Sequence, residues 1–406
     1  VPDTFETDVR LLLGATTPAI PPESVTAAVS SIEVIQSSRC PSGFRVTFAA
    51  QRYSADDQIG TEFPLLDTGL LDPFVRLQVL VQPSTSLLPT VIMDGFITRQ
   101  EVVVGQDGAA TITVIGEDVS VKMDLIEISA EFQNLADSAI VTQILGNYSS
   151  LGITPSVTAP TGESAPQSWV PQQNCTDRYF IQMLALRHGF FFYVLPGSLP
   201  GMNKAYWGPP VTTGTAQKTL TTNMSMVNNL RSISLTYDAL APTVTYGSVL
   251  DLTQNPAVAV PVAVGSASSL LDLAQTGPIA SSMSGIATTP STFSSQLSTL
   301  ASRGTLFLHP GLSATDAQNL AQAKTNRSAQ EVVVVEGEVD TAKYGAILQA
   351  AGLVNLRGVG GRYDGTYFVK QVSHNFSFND EDLSYFQKFV LVREGFGSTI
   401  QMVTNY

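Results

Sequence analysis

VIMDGFITRQEVVVGQDGAATITVIGED, residues 91 to 118, decides the fold class. Apolar residues alternate on both sides of Gly105-Gln106-Asp107-Gly108, and these turn residues tolerate the positive φ that a tight reversal needs. The stretch predicts a long antiparallel hairpin. Just upstream, PFVRLQVLVQ (73–82) has Val75, Leu77, Val79 and Val81 pointing one way and Phe74, Arg76, Gln78 and Leu80 the other, the pattern of a half-buried strand. GFRVTFAA (43–50) repeats it through Phe44, Val46 and Phe48. Residues 28–120 therefore read as a small antiparallel β-barrel or sandwich, preceded by an N-terminal arm, 1–27.

Beyond it the period changes. Ile140, Val141, Ile144, Leu145 and Tyr148 follow Asp137 at helical spacing, and Asn147 to Gly152 supply breakers. A second helix starts at Thr176 as N-cap, carries Tyr179, Phe180, Met183 and Leu184 on one face, and stops at Gly189. The strand FFFYVLP follows at once, so residues 121–228 read as an α/β module. A second β domain takes 229–250 and 330–398, built from NNLRSISLTYDAL, EVVVVEGEVD, LVNLRGVG, GTYFVKQVSHNFSF and DLSYFQKFVLVRE. Between its parts lies a low-complexity insertion, 251–329, in which Asp272 is the one charged residue between Asp251 and Arg303 and a helix is expected from Ser313 to Asn326. Its Val and Leu content suits a segment lying along a neighbour's surface. Residues 399–406 form a C-terminal tail.

Composition sets the boundaries of function. A chain of 406 residues exceeds one small module. Only 14% of it is charged while 44% is hydrophobic, so charge is too sparse to cover a monomer's surface and other subunits are expected to cover part of it. With 34 acidic and 21 basic residues the net charge is -13, which argues against nucleic-acid binding and against attraction to anionic membranes. Apolar runs such as FFFYVL fall short of the ~20 residues of a membrane helix, so no membrane insertion is expected. Cys40 and Cys175 make no CxxC and read as reduced thiols, and no secretory leader is recognisable.

Enzyme chemistry finds little support. Glu336 and Glu338 lie two apart on one strand face, the placement of a glycosidase pair, but charged residues at the solvent end of a strand explain them as well. Asp380, Glu381 and Asp382 lack the ligand spacing of a calcium loop. His188, His309 and His374 are too dispersed for a zinc motif. Cys175 and His188 are separated by a helix length, no GxSxG occurs, and GVGGR (358–362) lies between strands, where a turn needing positive φ explains it. No catalytic residue, cofactor or metal is expected.

Several motifs in fixed order carry a family resemblance. They are DGFIT at Asp94 and Gly95 with its hairpin closing on Asp118; VPQQNCTDRYFIQMLALRHGFFFYV (170–194), holding Asp177 and Gly189; and AYWGPP (205–210), holding Gly208 and Pro209. VVVEGEVD around Gly337, GRYDGTYFVKQVSHNFS with Asp364, Gly365 and His374, and YFQKFVLVREG complete the set. From residue 28 to Gly397 the chain resembles the baseplate hub proteins of contractile phage tails and related injection systems, including late-control tail proteins and the hub half of valine-glycine repeat spike proteins. The resemblance implies a mainly β, α+β chain with two tube-like antiparallel β-barrels and an α/β bracing module. It further implies a structural homotrimer, a pseudo-six-fold ring adapting a hexameric tail tube or tube-initiator protein to a trimeric spike, with inner baseplate proteins around it. Such a hub is assembled in the bacterial cytoplasm and ends in a virion tail baseplate or injection particle. No glycine-valine repeats precede Tyr406, so the spike is expected to be a separate polypeptide. The Asp94-Gly95 and Asp364-Gly365 dipeptides, each read as opening an alternating strand, suggest a duplicated barrel. The competing readings are a carbohydrate-binding or glycoside-hydrolysing β-protein and a tail-fibre or adhesin component.

Overall fold

The structure, a computed structural model, describes residues 7–50, 63–83, 88–105, 110–160, 163, 165, 170–224, 227–250, 257–260, 303–307, 314–379 and 382–395. The turn residues Gln106 to Gly108, Asp251, Asp272, His309, Asp380, Glu381 and the tail 399–406 lie outside the described residues. Strands β1 (Thr7–Gly14), β2 (Val29–Ser37), β3 (Gly43–Ala50), β4 (Arg76–Pro83), β5 (Thr90–Val104) and β6 (Ala110–Asp118) hydrogen-bond in the order β1-β4-β5-β6-β3-β2. β5 and β6 are the antiparallel arms of the hairpin read from the sequence. β1 falls within the stretch read as an arm, yet it is a full member of this sheet through its antiparallel ladder with β4. Leu13, Val34, Val46, Phe48, Leu77, Val79, Ile112 and Val114, drawn from all these strands but β5, share one apolar cluster with Ile92 and Met93 of β5. The sheet thus folds over its own core, and the short helices α1 (Glu23–Thr26) and α2 (Pro64–Asp67) add Val25 and Leu65 to it.

One expectation fails for β4. Its alternating pattern predicts a solvated face, but Arg76, Gln78 and Leu80 are as buried as Leu77 and Val79. The reason is coverage from outside the sheet. Arg76 reaches the Leu151 carbonyl and Gln78 lies beside Gly201, both in the α/β module, so this strand is sandwiched.

That module contains β7 (Glu127–Glu131), α3 (Asp137–Gly146), β8 (Ile153–Val157), β9 (Gln172–Thr176), α4 (Asp177–His188), β10 (Phe191–Pro196) and β11 (Asn203–Gly208). β10, β11 and β8 form one small sheet, and β7 with β9 another. Helix α4 begins and ends as the sequence requires: the Thr176 hydroxyl accepts from the Tyr179 N–H, and Gly189 takes the left-handed conformation at φ +67. Its buried face differs from the one expected. Phe180, Ile181, Leu184 and Ala185 join Ile140, Ile144 and Trp207 in the module's core, while Tyr179 and Met183 are exposed. The stripe 177, 180, 181, 184, 185 is the helical spacing that buries Asp177 as well.

The second half contains β12 (Gln217–Thr221), β13 (Leu230–Tyr237), β14 (Thr243–Leu250), β15 (Ala257–Val260), β16 (Arg303–Phe307), α5 (Ala314–Ala329), β17 (Val333–Val339), α6 (Thr341–Tyr344), β18 (Leu353–Arg357), β19 (Gly365–Asn379) and β20 (Asp382–Arg393). β15-β14-β16 make a separate sheet, on which α5 packs through Thr325 and Ser328 hydrogen bonds to the backbone of Thr245 and Thr243. This part of the insertion also touches the module, because Ala323 lies against Gly189, where a Cβ would come within 3.0 Å. The remaining strands continue the first sheet: β2 pairs with β19, giving one sheet of 12 strands. The chain is therefore mainly β with large antiparallel sheets. Among the described residues no ladder joins β1 to β2 or β12 to β13, so each half is a folded sheet whose ends are not hydrogen-bonded.

Candidate assembly interface

The two halves of the large sheet are copies of one design. The second half runs β12-β18-β19-β20-β17-β13, the same spatial order and the same chain order as β1-β4-β5-β6-β3-β2. The registers also match. β2 pairs Val29 with Phe48, bulges at Ser30 and resumes with Ser31 and Thr47; β13 pairs Leu230 with Val339, bulges at Arg231 and resumes with Ser232 and Glu338. β5 bulges at Thr98 against β6, and β19 bulges at Lys370 against β20. Bulges are specific local insertions, so two in equivalent places mark a true repeat. One strand departs: β1 runs antiparallel to β4, whereas β12 runs parallel to β18.

This alignment corrects the Asp-Gly echo. Asp364-Gly365 does open β19, with Gly365 at φ +147, but Asp94-Gly95 lies inside β5. With the bulges superposed, Phe96 matches Phe368 and Asp94 matches Thr366, so the two dipeptides are out of step by two residues. The equivalent polar pairs are Gln78 with Asp94 in the first half and Asn355 with Thr366 in the second, the latter joined by a 2.9 Å hydrogen bond.

Asp94 does other work. Its carboxylate takes two 2.7 Å hydrogen bonds from the Arg76 guanidinium and one of 2.9 Å from Asn203 Nδ2, while Arg76 also donates to the Leu151 carbonyl at 2.9 Å. This buried cluster ties β4 and β5 to β11 and the turn before β8. A second clamp stands at Arg178, which donates to Glu117 at 2.8 Å and to Asp124 at 2.5 Å. Asp118 caps the turn between them, accepting from Ser120 N at 2.9 Å and Ser42 N at 2.6 Å; burial raises its carboxyl to about 6 against these donors. Asp177 accepts from Tyr148 Oη and Gln173 Nε2, each at 2.7 Å. On α3, burial would raise Asp137, but the His188 hydrogen bond and Arg187 charge outweigh it and hold the carboxyl low. Arg178 and Asn203 carry no local sign of their partners, since their contacts span elements distant in the chain, and Arg76 meets Asp94 only through the register of β4 on β5.

The motif glycines are spacing devices. A Cβ on Gly208 would meet Thr158 Oγ1 and Tyr206 Oη at 2.9 Å, and the following Pro209 carbonyl accepts from that Tyr206 hydroxyl at 2.6 Å. On Gly337 it would meet the Phe389 ring and the Ser232 carbonyl at 2.6 Å. Gly95 is tighter still, facing the Glu117 backbone carbonyl across the hairpin. Gly95→Ala is expected to lower stability by about 1–3 kcal/mol through overpacking; an unchanged thermal midpoint would contradict that.

Between the halves runs the β2–β19 seam, from Ser31 opposite Ser377 to Ser37 opposite Gln371. Gln36 bolts it, donating to the Ile92 carbonyl at 2.8 Å and accepting from Ala350 N at 3.1 Å. Opposite Val34 lies His374, fully buried, with Nδ1 2.9 Å from Tyr385 Oη and no partner on Nε2 among the described residues. Burial lowers its pKa to about 3, so the imidazole is neutral. Asp364 is a local turn group, accepting from Val359 N at 2.9 Å.

The enzyme candidates do not converge. Glu338 pairs with Arg231 at 3.2 Å on the sheet surface. Gly358 and Gly360 take positive φ in the turn before β19. Among the described residues no group of three His, Cys, Asp or Glu side chains could hold a metal, and no described helix is long and apolar enough to cross a membrane.

Known proteins share this architecture. The chain is similar to the tail protein from Neisseria meningitidis MC58, with a TM-score of 0.59 at 8% identity over 95% of this chain and 97% of that one. It is similar to the 43 kDa tail protein of prophage MuSo2 from Shewanella oneidensis, with a TM-score of 0.57 at 11% identity over 97% and 100%. A chain of the lidded Francisella PdpA-VgrG complex gives 0.55 at 9% identity, covering 99% of this chain and 55% of that one. The fold is thus a phage tail-related one. By sequence, a family model described as the Alg8 N-terminal domain matches residues 45–222, and no curated protein matches.

Proposed function

We propose that this chain is a structural baseplate hub, a homotrimer whose six sheet halves form a pseudo-six-fold ring between a hexameric tail tube and a trimeric spike. The observation that carries the reading is the in-register repeat, in which strand order and both bulge positions recur. Symmetry mismatch gives the repeat a purpose. A six-fold ring and a three-fold spike share no isologous contact, but three chains with two similar lobes each offer six similar surfaces to one and three to the other. The tail-protein likeness of the whole fold supports this, as does the sparse charge of the chain. The α/β module, clamped through Arg76 and Arg178, braces the first lobe. The chain's role is rigid docking, without a catalytic step, cofactor or metal, and its place is the tail of a virion or injection particle. Its partners are a separate spike, a tube or tube-initiator protein and inner baseplate proteins.

The expected result for the full chain is a solution mass of three protomers and six-lobed rings in negative-stain images. A species that stays monomeric at assembly concentrations counts against the reading, and glycan binding or cleavage by that monomer would turn it toward the carbohydrate class.

A further inference from the structure

Among the described residues, β13 and the part of β5 beyond its bulge each have an edge with no strand on it, and these two edges are the counterparts of the two that meet in the β2–β19 seam. On β19, the residues before the Lys370 bulge pair with β18 and those after it, Gln371 to Ser377, pair with β2. On β5, the residues before the Thr98 bulge pair with β4, while Arg99 to Val104 pair with β6 alone among the described strands. Likewise β2 has β3 on one side and β19 on the other, whereas its counterpart β13 has β17 alone among the described strands. Exposure follows the vacancy. His374 and Phe376 are 0% and 2% exposed, but their equivalents Val102 and Val104 are 39% and 42% exposed, with Val103 between them at 60%. Three valines on an open edge make a template for another strand.

We infer that a second copy of this chain adds its β13 antiparallel to the Arg99–Val104 edge of β5, repeating between protomers the seam that β2 and β19 form within one. The inference deepens the proposed ring and rests on it. The repeat fixes the register. Ile32 opposite Phe376, Glu33 opposite Asn375 and Val34 opposite His374 translate to Ile233 opposite Val104, Ser234 opposite Val103 and Leu235 opposite Val102. Continuing outward, Thr236 faces Glu101 and Asp238 faces Arg99. Nothing in the alignment selected for these chemistries, yet the register sets apolar against apolar at Ile233–Val104 and Leu235–Val102, and opposite charges at Asp238–Arg99. Arg99 is at hand for this, paired at 2.5 Å with the nearby Glu101 on the exposed strand. Main-chain hydrogen bonds supply the affinity in such strand addition, and the side-chain register supplies the specificity. The contact is heterologous, β13 to β5, so each protomer keeps one edge of each kind for its neighbours until the ring closes.

Paired cysteines test the register. In a Cys40→Ser, Cys175→Ser background, Ser234→Cys with Val103→Cys and, separately, Leu235→Cys with Val102→Cys are each made in the full chain. Adjacent rungs of an antiparallel ladder alternate between Cα separations of about 5.5 and 4.5 Å, both within disulfide reach. Mild oxidation is expected to give covalent dimers and trimers on non-reducing gels for the matched pairs. None is expected for the single-cysteine chains or for Ser232→Cys with Val102→Cys, which lies three residues off register. Ser234 and Val103 are exposed, so that pair leaves the protomer's core untouched. A trimeric mass with neither matched pair cross-linking overturns the seam and leaves the ring standing; a monomeric wild-type chain overturns both.

Discussion

Replacing Asp94 with alanine is expected to lower the free energy of unfolding by about 3–5 kcal/mol, the scale for removing one partner of a buried ion pair. The pair qualifies by burial, since the Arg76 and Asp94 side chains are 9% and 0% exposed. Without the carboxylate, the guanidinium keeps the Leu151 carbonyl as its one hydrogen-bond acceptor among the described residues, and Asn203 Nδ2 loses its shorter contact. Asp94→Asn should recover little, because an amide restores an acceptor but not the counter-charge. An exposed pair makes the contrast: Arg10 with Asp8 also sits at 2.7 Å, but with both side chains about half exposed it should contribute about 0–1 kcal/mol. Urea unfolding of Asp94→Ala beside Asp8→Ala reads the difference directly. The damage should also be local, so amide exchange should speed up first at Gly152 and Asn203, where the module meets β4 and β5. Equal losses in the two variants would mean that the cluster does not hold the module.

The sequence made the elements legible more readily than their coverage. Alternation found β3 to β6 and the caps Thr176 and Gly189 bounded α4, because both signals are local. What β4 packs against on its second face is not local, and an alternating strand sandwiched between a core and a module looks the same as one facing water. The same blindness put Tyr179 and Met183 on the wrong side of α4: four apolar residues suggested a stripe, while the true stripe includes the buried polar Asp177. The duplication was read from the wrong residues. Asp94 and Asp364 share a dipeptide but not a place, whereas Ser30 and Arg231, or Thr98 and Lys370, share a place but no chemistry. A bulge is a property of backbone pairing, so diverging side chains can erase its sequence trace while the repeat persists. For the same reason the open edges at Val102 to Val104 and along β13 had no sequence signature; a strand's vacancy is visible only when its neighbours are known.

Acid should act on the β2–β19 seam through His374. The unfolded imidazole of His374 titrates near 6.5, while burial in the β2–β19 seam lowers the folded value to about 3. Between those values the unfolded chain binds a proton that the folded chain refuses, so stability is fully present above 6.5 and falls as the pH drops toward 3. One proton corresponds to a slope of about 1.4 kcal/mol per pH unit, and the whole window to about 4–5 kcal/mol. Tyr385, the ring's hydrogen-bond partner, stays neutral throughout, since burial raises its pKa further from this range. His374→Gln keeps a polar group without a titration, so subtracting its stability profile from the wild-type profile should isolate that slope from the general effect of protonating carboxylates. Parallel profiles for the two proteins would show that His374 is not held neutral. At the seam between protomers the equivalent residue is Val102, which carries no proton. Acidification to about pH 4 should therefore speed amide exchange along Ile32 to Gln36 and Val372 to Phe376, an effect that His374→Gln should remove.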